Sequence, residues 1–223
     1  MPLRLLGGVA VRLRAPSELP AAFEREYKDL DFVAAKGASR DVGRLLQDSG
    51  YEPAVSFNAL NSKERLLFYD DAHGRQVDVF VGAFRMCHAI PLDGRIEVDR
   101  TSIPLAELLL TKLQVIELNE KDVRDALALL WCHPVGDADG EELNGGRVAH
   151  LCGDDWGLWR TITANLDTCS SHVDNYEVDG APIAARVGEL RERIEAAPKS
   201  RSWKLRAKIG ERKRWYELPD EVA

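Results

Sequence analysis

The sequence predicts a protein of mixed α/β structure, in which a small sheet comes first and a mainly helical lobe follows. Residues 76–81 alternate in a way that is typical of a strand, and helical stripes of apolar residues dominate the chain beyond residue 104. With 223 residues, of which 45% are hydrophobic, the chain is long enough for one large domain or two modest ones. We expect a division into residues 1–101 and 102–223.

The first half contains short strand-like runs and one clear helix. Residues 30–33 form a β-type run, and residues 39–49 place their apolar side chains on one side of a predicted helix. Two more strand-like runs follow at 65–69 and 76–81. The connection between them is rich in turn-forming residues, so we expect a β-hairpin.

The second half is predicted to be mainly helical. Pro104 suits the first turn of a helix over 105–118, whose apolar residues nearly surround it. Asn119 can cap a second helix over 120–131. An acidic, glycine-containing loop is expected at 134–146, and two further helices are expected at 156–169 and 182–197.

Composition and motifs argue against several classes of protein. No apolar run approaches the roughly 20 residues of a membrane span, and no signal-peptide pattern opens the chain, so we expect a cytoplasmic protein with no membrane partner. The four cysteines form no regular framework and are expected to be reduced thiols. Cysteine–histidine neighbours such as Cys87 and His88 match no known zinc spacing. P-loop, serine-hydrolase and zinc-protease motifs are missing from the sequence.

The net charge of −7 is distributed unevenly. Residues 199–214 include eight basic residues and one acid, a local charge of +7, so the other residues carry −14. Cations neutralise phosphates, and the aromatic residues of this segment can stack on unpaired bases, which points to RNA. The alternative is a solvated helix that pairs its charge with the acidic stretch 134–180. The candidate RNA-binding residues are Lys199, Arg201, Lys204, Arg206, Lys208, Arg212, Lys213 and Arg214.

Three aspartates and a glycine pair give the strongest chemical signal. Asp29 and Asp31 are two residues apart at the start of a strand, so their side chains project from the same face. Asp78 lies between two valines on another predicted strand, where an unpaired buried carboxylate would be costly. If the two strands are neighbours, the three carboxylates can hold two Mg²⁺ ions about 4 Å apart. Gly7 and Gly8 would let the backbone N–H groups at a helix start approach a triphosphate.

Taken together, these motifs resemble the signature of the polymerase β nucleotidyltransferase superfamily. The matching segments are GGVA at 7–10, REYKDLD at 25–31, VDV at 77–79, TKL at 111–113 and KDVRD at 121–125. The last two segments are similar to those of the AbiEii/AbiGii branch, which includes the MenT toxins. The resemblance covers about residues 5–131 and implies a nucleotidyltransferase core with a small mixed β-sheet, followed by a helical lobe that closes over the cleft.

The resemblance also implies an activity, its partners and a set of site residues. A nucleoside monophosphate would pass from an NTP to an acceptor hydroxyl with Mg²⁺ as cofactor; the acceptor would be the 3′ end of tRNA, and a cognate antitoxin would bind the chain. The implied metal ligands are Asp29, Asp31 and Asp78; the alternative role of Asp78 is to help deprotonate the acceptor hydroxyl. The implied nucleotide-binding residues are Gly7, Gly8, Arg25 and Lys112, and the implied second-motif acid is Asp122, or Asp125 in its place.

The sequence also departs from the superfamily pattern, and two alternatives stay open. Val9 stands where a serine is common, and twenty residues separate Gly8 from Asp29, which is longer than usual. One alternative is a nucleotidyltransferase that modifies an antibiotic-type small molecule or a protein side chain. The other is a non-catalytic module that binds a nucleotide or a partner protein.

Overall fold

The computed structural model describes residues 2–16 and 18–218 and has the predicted mixed α/β structure. The strands of the described part are β1 (Leu3–Leu6), β2 (Asp29–Ala34), β3 (Glu52–Pro53), β4 (Arg65–Asp70), β5 (Arg75–Val81), β6 (Ala83–Arg85), β7 (Ala89–Pro91), β8 (Val135–Gly136) and β9 (Leu143–Asn144). Its α-helices are α1 (Gly7–Arg14), α2 (Ser39–Asp48), α3 (Val55–Asn61), α4 (Leu105–Leu113), α5 (Glu120–Cys132), α6 (Gly145–Asp154), α7 (Trp156–His172), α8 (Ala181–Ala196) and α9 (Arg201–Ile209).

The chain forms two compact units. The first unit consists of Met1–Arg14, Arg25–Arg85 and Ala89–Pro104. The second consists of Ala15–Glu24, Met86–His88 and Leu105–Ala223. The sequence predicts two continuous segments, whereas in the structure two short stretches of the first half cluster with the second unit.

A five-stranded mixed sheet forms the centre of the first unit, with the strand order β1-β2-β5-β4-β3. β2 and β5 are parallel, and β4 and β5 form the predicted antiparallel hairpin. β1, which the sequence analysis missed, pairs antiparallel with β2. The sheet therefore places β2 and β5, which contain the three aspartates, side by side.

The two faces of this sheet differ in chemistry. On one face, Val42 and Leu46 of α2 belong to a buried cluster with Val77 and Val79 of β5. Side chains alternate along a strand, so Asp78 projects from the opposite face. The alternation seen in the sequence at 76–81 thus separates an apolar packing face from the face that presents Gln76 and Asp78, which we call the polar face although Phe80 also lies on it.

α4 is the central helix of the second unit. All nine of its residues are buried, and it contacts α5, α6 and α7. It ends at Leu113, so the prediction of a helix to residue 118 was too long. The side-chain amide of Asn165 donates hydrogen bonds to the carbonyl oxygens of Leu113 (2.8 Å) and Val115 (2.6 Å), which satisfies carbonyls that the helix end leaves open.

The other predicted helices of the second unit are present, and one more was missed. The side chain of Asn119 accepts a hydrogen bond from the backbone N–H of Asp122, which confirms the predicted N-cap of α5. The predicted loop at 134–146 contains the short pair β8–β9 and leads into α6, which the sequence analysis did not predict. Among residues 2–16 and 18–218, no helix has both the length and the apolar character of a membrane span.

Replacing Gly188 with alanine should stabilise the second unit. Gly188 lies inside α8, and a Cβ atom built on it meets no atom within 4 Å. Alanine is better than glycine in a helix interior by about 0.5–1 kcal/mol, so the free energy of unfolding should rise by that amount in a urea titration. Gly153→Ala is the matched control: its Cβ would lie 2.6 Å from the carbonyl oxygen of Pro198, so this variant should be less stable. A Gly188→Ala protein that is no more stable than the parent would contradict the prediction.

The second unit should lose stability below about pH 6.5 because of one buried histidine. His88 Nε2 lies 2.8 Å from the hydroxyl oxygen of Thr161, which also accepts a hydrogen bond from Trp215 Nε1 at 3.1 Å. Burial lowers the pKa of His88 below its ordinary value of 6.5, against the opposing charges of Asp155 and Glu217. The unfolded chain therefore binds the proton first as the pH falls, so folding stability decreases between 6.5 and the lower pKa of the folded state.

Urea titrations at a series of pH values would measure this loss. The His88→Gln variant should show a smaller decrease in the free energy of unfolding over the same pH range. An identical decrease in the variant and the parent would show that His88 is not the responsible group.

Candidate active site

Asp31 and Asp78 lie side by side on the polar face of the sheet. β2 and β5 are in register, so that Asp31 pairs with Asp78 and Asp29 pairs with Gln76. Neighbouring strands lie about 4.8 Å apart, and paired residues of parallel strands project from the same face. The register therefore brings the three aspartates of the sequence analysis onto one face, with Asp29 exposed at the strand start and Asp31 half-buried.

Asp78 already has strong partners in this arrangement. Its side chain is almost fully buried, with 4% exposure. Both Nε and Nη2 of Arg65 lie 2.7 Å from Oδ1, and Gln76 Nε2 donates to Oδ2 at 2.8 Å. The guanidinium of Arg65 also lies over the rings of Phe57 (5.7 Å) and Phe80 (5.2 Å). Arg65 therefore neutralises the buried carboxylate and fixes its orientation.

The sequence analysis missed Arg65 and Gln76, although one signal for them was available. Gln76 lies two residues before Asp78, so strand periodicity places the two side chains on the same face. Arg65 is the first residue of β4, and the hairpin register puts Leu67 opposite Asp78. Only that register, which depends on the turn, shows that Arg65 shares a face with the aspartates.

The donor atoms on this face include two carboxylates that suit one magnesium ion, and the predicted two-ion site stays a prediction. Within residues 2–16 and 18–218, no three acidic, histidine or cysteine side chains are grouped closely enough to hold a metal ion. Asp78 instead faces Arg65 and Gln76. Asp29 and Asp31 supply two hard carboxylates on one face, and Mg²⁺ in proteins commonly takes one or two carboxylates together with phosphate oxygens and water. The pair therefore suits an ion that arrives with a nucleotide.

Gly7 and Gly8 allow two side chains to lie close to the backbone at the start of α1. Gly7 has a φ of +70°, a conformation that other residues rarely adopt. A Cβ atom on Gly7 would lie 2.8 Å from Cγ of Asp31, and one on Gly8 would lie 2.9 Å from Cζ of Arg25. The glycine pair thus lets the Asp31 carboxylate and the Arg25 guanidinium lie against the helix start.

Arg25 is held in place by its own segment. Its guanidinium stacks 4.5 Å from the ring centre of Tyr27, and Nη1 donates to the carbonyl oxygen of Glu26 at 3.0 Å. A Cβ on Gly8 would also lie 2.9 Å from Cδ1 of Tyr27, a residue whose role the sequence analysis missed. A cation, the backbone N–H groups of a helix start and the Asp31 carboxylate therefore lie together, a combination that suits a metal–phosphate ligand.

Lys112, Asp122 and Asp125 form a separate cluster within the second unit. The ammonium group of Lys112 lies 2.8 Å from Asp125 Oδ2 and 3.3 Å from Asp122 Oδ1. Lys112 and Asp125 are buried, with 8% and 2% exposure, so the lysine does not extend into solvent. Asn119 Nδ2 donates to Asp122 Oδ2 at 2.8 Å. Both candidate acids contact the lysine, and the roles of the three residues in binding the triphosphate stay a prediction.

The tryptophans in and directly after the basic segment pack inside the second unit. The ring of Trp203 packs edge-on against Trp159 at 5.3 Å, and that of Trp215 packs edge-on against Trp156 at 6.0 Å. Both indoles are half-buried. They therefore anchor the segment, and the suggestion that they stack on unpaired bases is not needed to explain their presence.

Two of the four cysteines are buried thiols of low reactivity. All four are free. Burial raises the pKa of Cys152 and of Cys169 to about 12, so both thiols stay protonated and unreactive at neutral pH.

Comparisons with known proteins give little further guidance. No protein-family model matches the chain, and no curated protein matches it. Among solved structures, the crystal structure of the lincosamide antibiotic adenylyltransferase LnuA with lincomycin bound is 19% identical and has a TM-score of 0.40. The match covers 57% of this chain and 84% of that chain. At this identity and TM-score the comparison assigns neither a family nor an activity.

Proposed function

We propose that the chain is a Mg²⁺-dependent nucleotidyltransferase that moves a nucleoside monophosphate from an NTP to an acceptor hydroxyl. One observation carries the proposal: the register of β2 and β5 sets Asp31 beside Asp78, with Asp29 on the same face. Gly7 and Gly8, at the start of α1, lie against Asp31 and Arg25. A carboxylate pair beside a phosphate-accommodating helix start is what a metal–triphosphate substrate requires.

The proposed reaction is an in-line substitution at the α-phosphorus. A bond forms between the acceptor oxygen and the α-phosphorus, and the bond from the α-phosphorus to the oxygen bridging it to the β-phosphorus breaks. The electron pair leaves with pyrophosphate, and the acceptor proton passes to a carboxylate of the polar face and from there to water. Magnesium held by Asp29 and Asp31 would supply neutralisation of phosphate charge.

The chain's own residues contribute orientation and charge. Arg25 places a cation at the start of α1, where it offsets negative charge on the phosphates. Arg65 and Gln76 hold both oxygens of Asp78, so the carboxylate points in a fixed direction. Fixed charges of this kind assist phosphoryl-type transfers mainly by positioning and electrostatic stabilisation.

As acceptor we propose the 3′ end of tRNA. The support is the basic segment 199–214, whose local charge is +7 in a chain of net charge −7. Cations of this density bind a phosphodiester backbone. A tRNA with a blocked 3′ end could not be aminoacylated, so the chain would act as a toxin and would need a cognate antitoxin protein.

The acceptor is identified by incubating the chain with Mg²⁺, total bacterial tRNA and each α-³²P-labelled NTP in turn. Label should enter tRNA from a preferred NTP, should be lost when the 3′ end is first oxidised with periodate, and should be lost in Asp29→Ala. Pyrophosphate release with an antibiotic-type or protein acceptor, and none with tRNA, would favour the alternative nucleotidyltransferase. Binding of NTP–Mg²⁺ without turnover on any acceptor would favour the non-catalytic module.

A further inference from the structure

The eight cations of the basic segment are not equivalent in the structure. Several of them hold the segment together. Arg206 donates to the carbonyl oxygens of Gly210 (2.6 Å) and Lys213, and its guanidinium lies 4.8 Å from the ring centre of Trp156. Arg212 donates to two carbonyl oxygens of α9, at 3.0 and 2.7 Å. These arginines are occupied with backbone and ring contacts.

Lys199 and Arg214 also contact their own neighbourhood. Lys199 Nζ donates to the carbonyl oxygen of Ile194 and lies 5.6 Å from the ring centre of Trp203. The guanidinium of Arg214 lies 5.9 Å from the ring centre of Tyr216. Half of the eight predicted RNA-binding residues therefore make contacts with α8, α9 and the residues that follow α9.

The remaining cations of α9 form one exposed ridge. Arg201, Lys204 and Lys208 are spaced by three and four residues, so they share one face of the helix over about 10 Å. All three are exposed, and none of their charged groups has a hydrogen bond or an ion pair with any other described residue. Like charges at this spacing repel each other and weaken a helix. The repulsion among these three cations therefore destabilises α9, and no ion pair with another described residue offsets it.

The acidic residues of this region do not relieve that repulsion. α9 has no acidic residue in its first turn. The single acid of 199–214 is Glu211. Its Oε1 lies 2.5 Å from Nε of Arg160 in α7, so Glu211 is paired with a cation outside the ridge. An outside polyanion is the ligand that would neutralise three cations in a row.

We infer that Arg201, Lys204 and Lys208 form the phosphate-binding surface for the RNA acceptor, whereas Arg206 and Arg212 only hold α9 and the chain beyond it in place. This inference rests on the proposed function for the identity of the acceptor. It narrows the eight sequence candidates to three that contact RNA through its backbone. The eighth candidate, Lys213, is also exposed but lies beyond the end of α9 and outside the ridge. Exposed Leu205, at 64% exposure, lies next to the ridge and has no part in phosphate binding.

The test compares the triple variant R201Q/K204Q/K208Q with the parent chain, using fluorescein-labelled total tRNA without NTP across a KCl series. The logarithm of the binding constant should depend less steeply on the logarithm of salt, by about two units of slope, and binding at low salt should be at least about tenfold weaker. The melting temperature should stay the same or rise. This combination separates a binding surface from a structural one, because a structural change would lower the melting temperature.

Two control variants make the result specific. Arg44→Gln removes one exposed, unpaired cation of α2 and should leave tRNA binding nearly unchanged. Leu205→Gln should also leave it unchanged; a loss as large as that of the triple variant would show that tRNA binding does not depend on the cations in particular and would overturn the inference. An unchanged salt dependence in the triple variant would overturn it as well.

Transfer kinetics distinguish this inference from the proposed function. If the function holds and the inference holds, the triple variant should have a raised KM for tRNA and an unchanged KM for NTP. Transfer with an unchanged KM for tRNA would contradict the inference alone. Normal ridge-dependent tRNA binding with no transfer in the parent would contradict the proposed function alone.

Discussion

Asp31→Asn should lower nucleotidyl transfer about a thousandfold while the chain stays folded. Asparagine keeps the shape of the side chain but removes the negative charge that would hold Mg²⁺ beside Asp29. Loss of one group that stabilises charge in a transition state typically costs a factor of about 10²–10³. The readout is the rate of α-³²P incorporation into the acceptor, with the melting temperature measured on the same samples.

Asp48→Asn is the matched control for this change. Asp48 is an exposed aspartate in the last turn of α2, where a negative charge opposes the helix dipole. Its removal should leave the transfer rate unchanged and the stability equal or slightly higher. An Asp31→Asn protein that keeps half of the parent rate would rule out the assignment of Asp31 to the metal site.

Gly7→Ala should reduce both activity and stability. The position has a φ of +70°, and a methyl group there would collide with the carboxylate of Asp31. Holding an alanine in this conformation costs about 1–2 kcal/mol, and a misplacement of about 1 Å at a reacting centre can cost about a hundredfold in rate. We therefore expect the free energy of unfolding to fall by about 2 kcal/mol and the transfer rate by about a hundredfold.

Gly43→Ala provides the comparison. Gly43 lies in α2, and a Cβ atom built on it meets nothing within 4 Å. This variant should be fully active and at least as stable as the parent. If Gly7→Ala behaves in the same way, the helix start at Gly7 does not constrain Asp31.

The elements that local patterns determine were predicted well. The alternation at 76–81 and the turn-rich connection before it correctly predicted β4, β5 and their hairpin. The apolar residues on nearly all sides of α4 correctly predicted a helix that begins after Pro104, and Asn119 correctly predicted the start of α5. In each case the signal lies within a few residues of the element that it specifies.

Elements and contacts that depend on distant residues were missed. β1 is only four residues long and becomes a strand by pairing with β2, more than twenty residues away along the chain. At the early end of α4, Asn165, far along the chain, donates a hydrogen bond to the carbonyl oxygen of Leu113. Such contacts have no local signature, so periodicity alone cannot place them.

The same distinction applies to the candidate site. The spacing of Asp29 and Asp31 was enough to put both on one face, and the parallel register then brought Asp78 beside them. The partnership of Asp78 with Arg65 depends on the hairpin register and could not be read from a motif. This ion pair bears on the predicted metal site, because the carboxylate of Asp78, which the sequence analysis assigned to the metal ions, already faces the guanidinium of Arg65.

The central claim is transfer of the α-phosphoryl group together with its nucleoside. The most direct test incubates the chain with Mg²⁺ and tRNA, using the preferred NTP labelled at the α- or the γ-phosphate in parallel reactions. The account predicts that α-label enters the acceptor, that γ-label is released as pyrophosphate, and that both products disappear in Asp31→Asn. Entry of γ-label into the acceptor, or transfer of α-label that persists in Asp31→Asn, would contradict it.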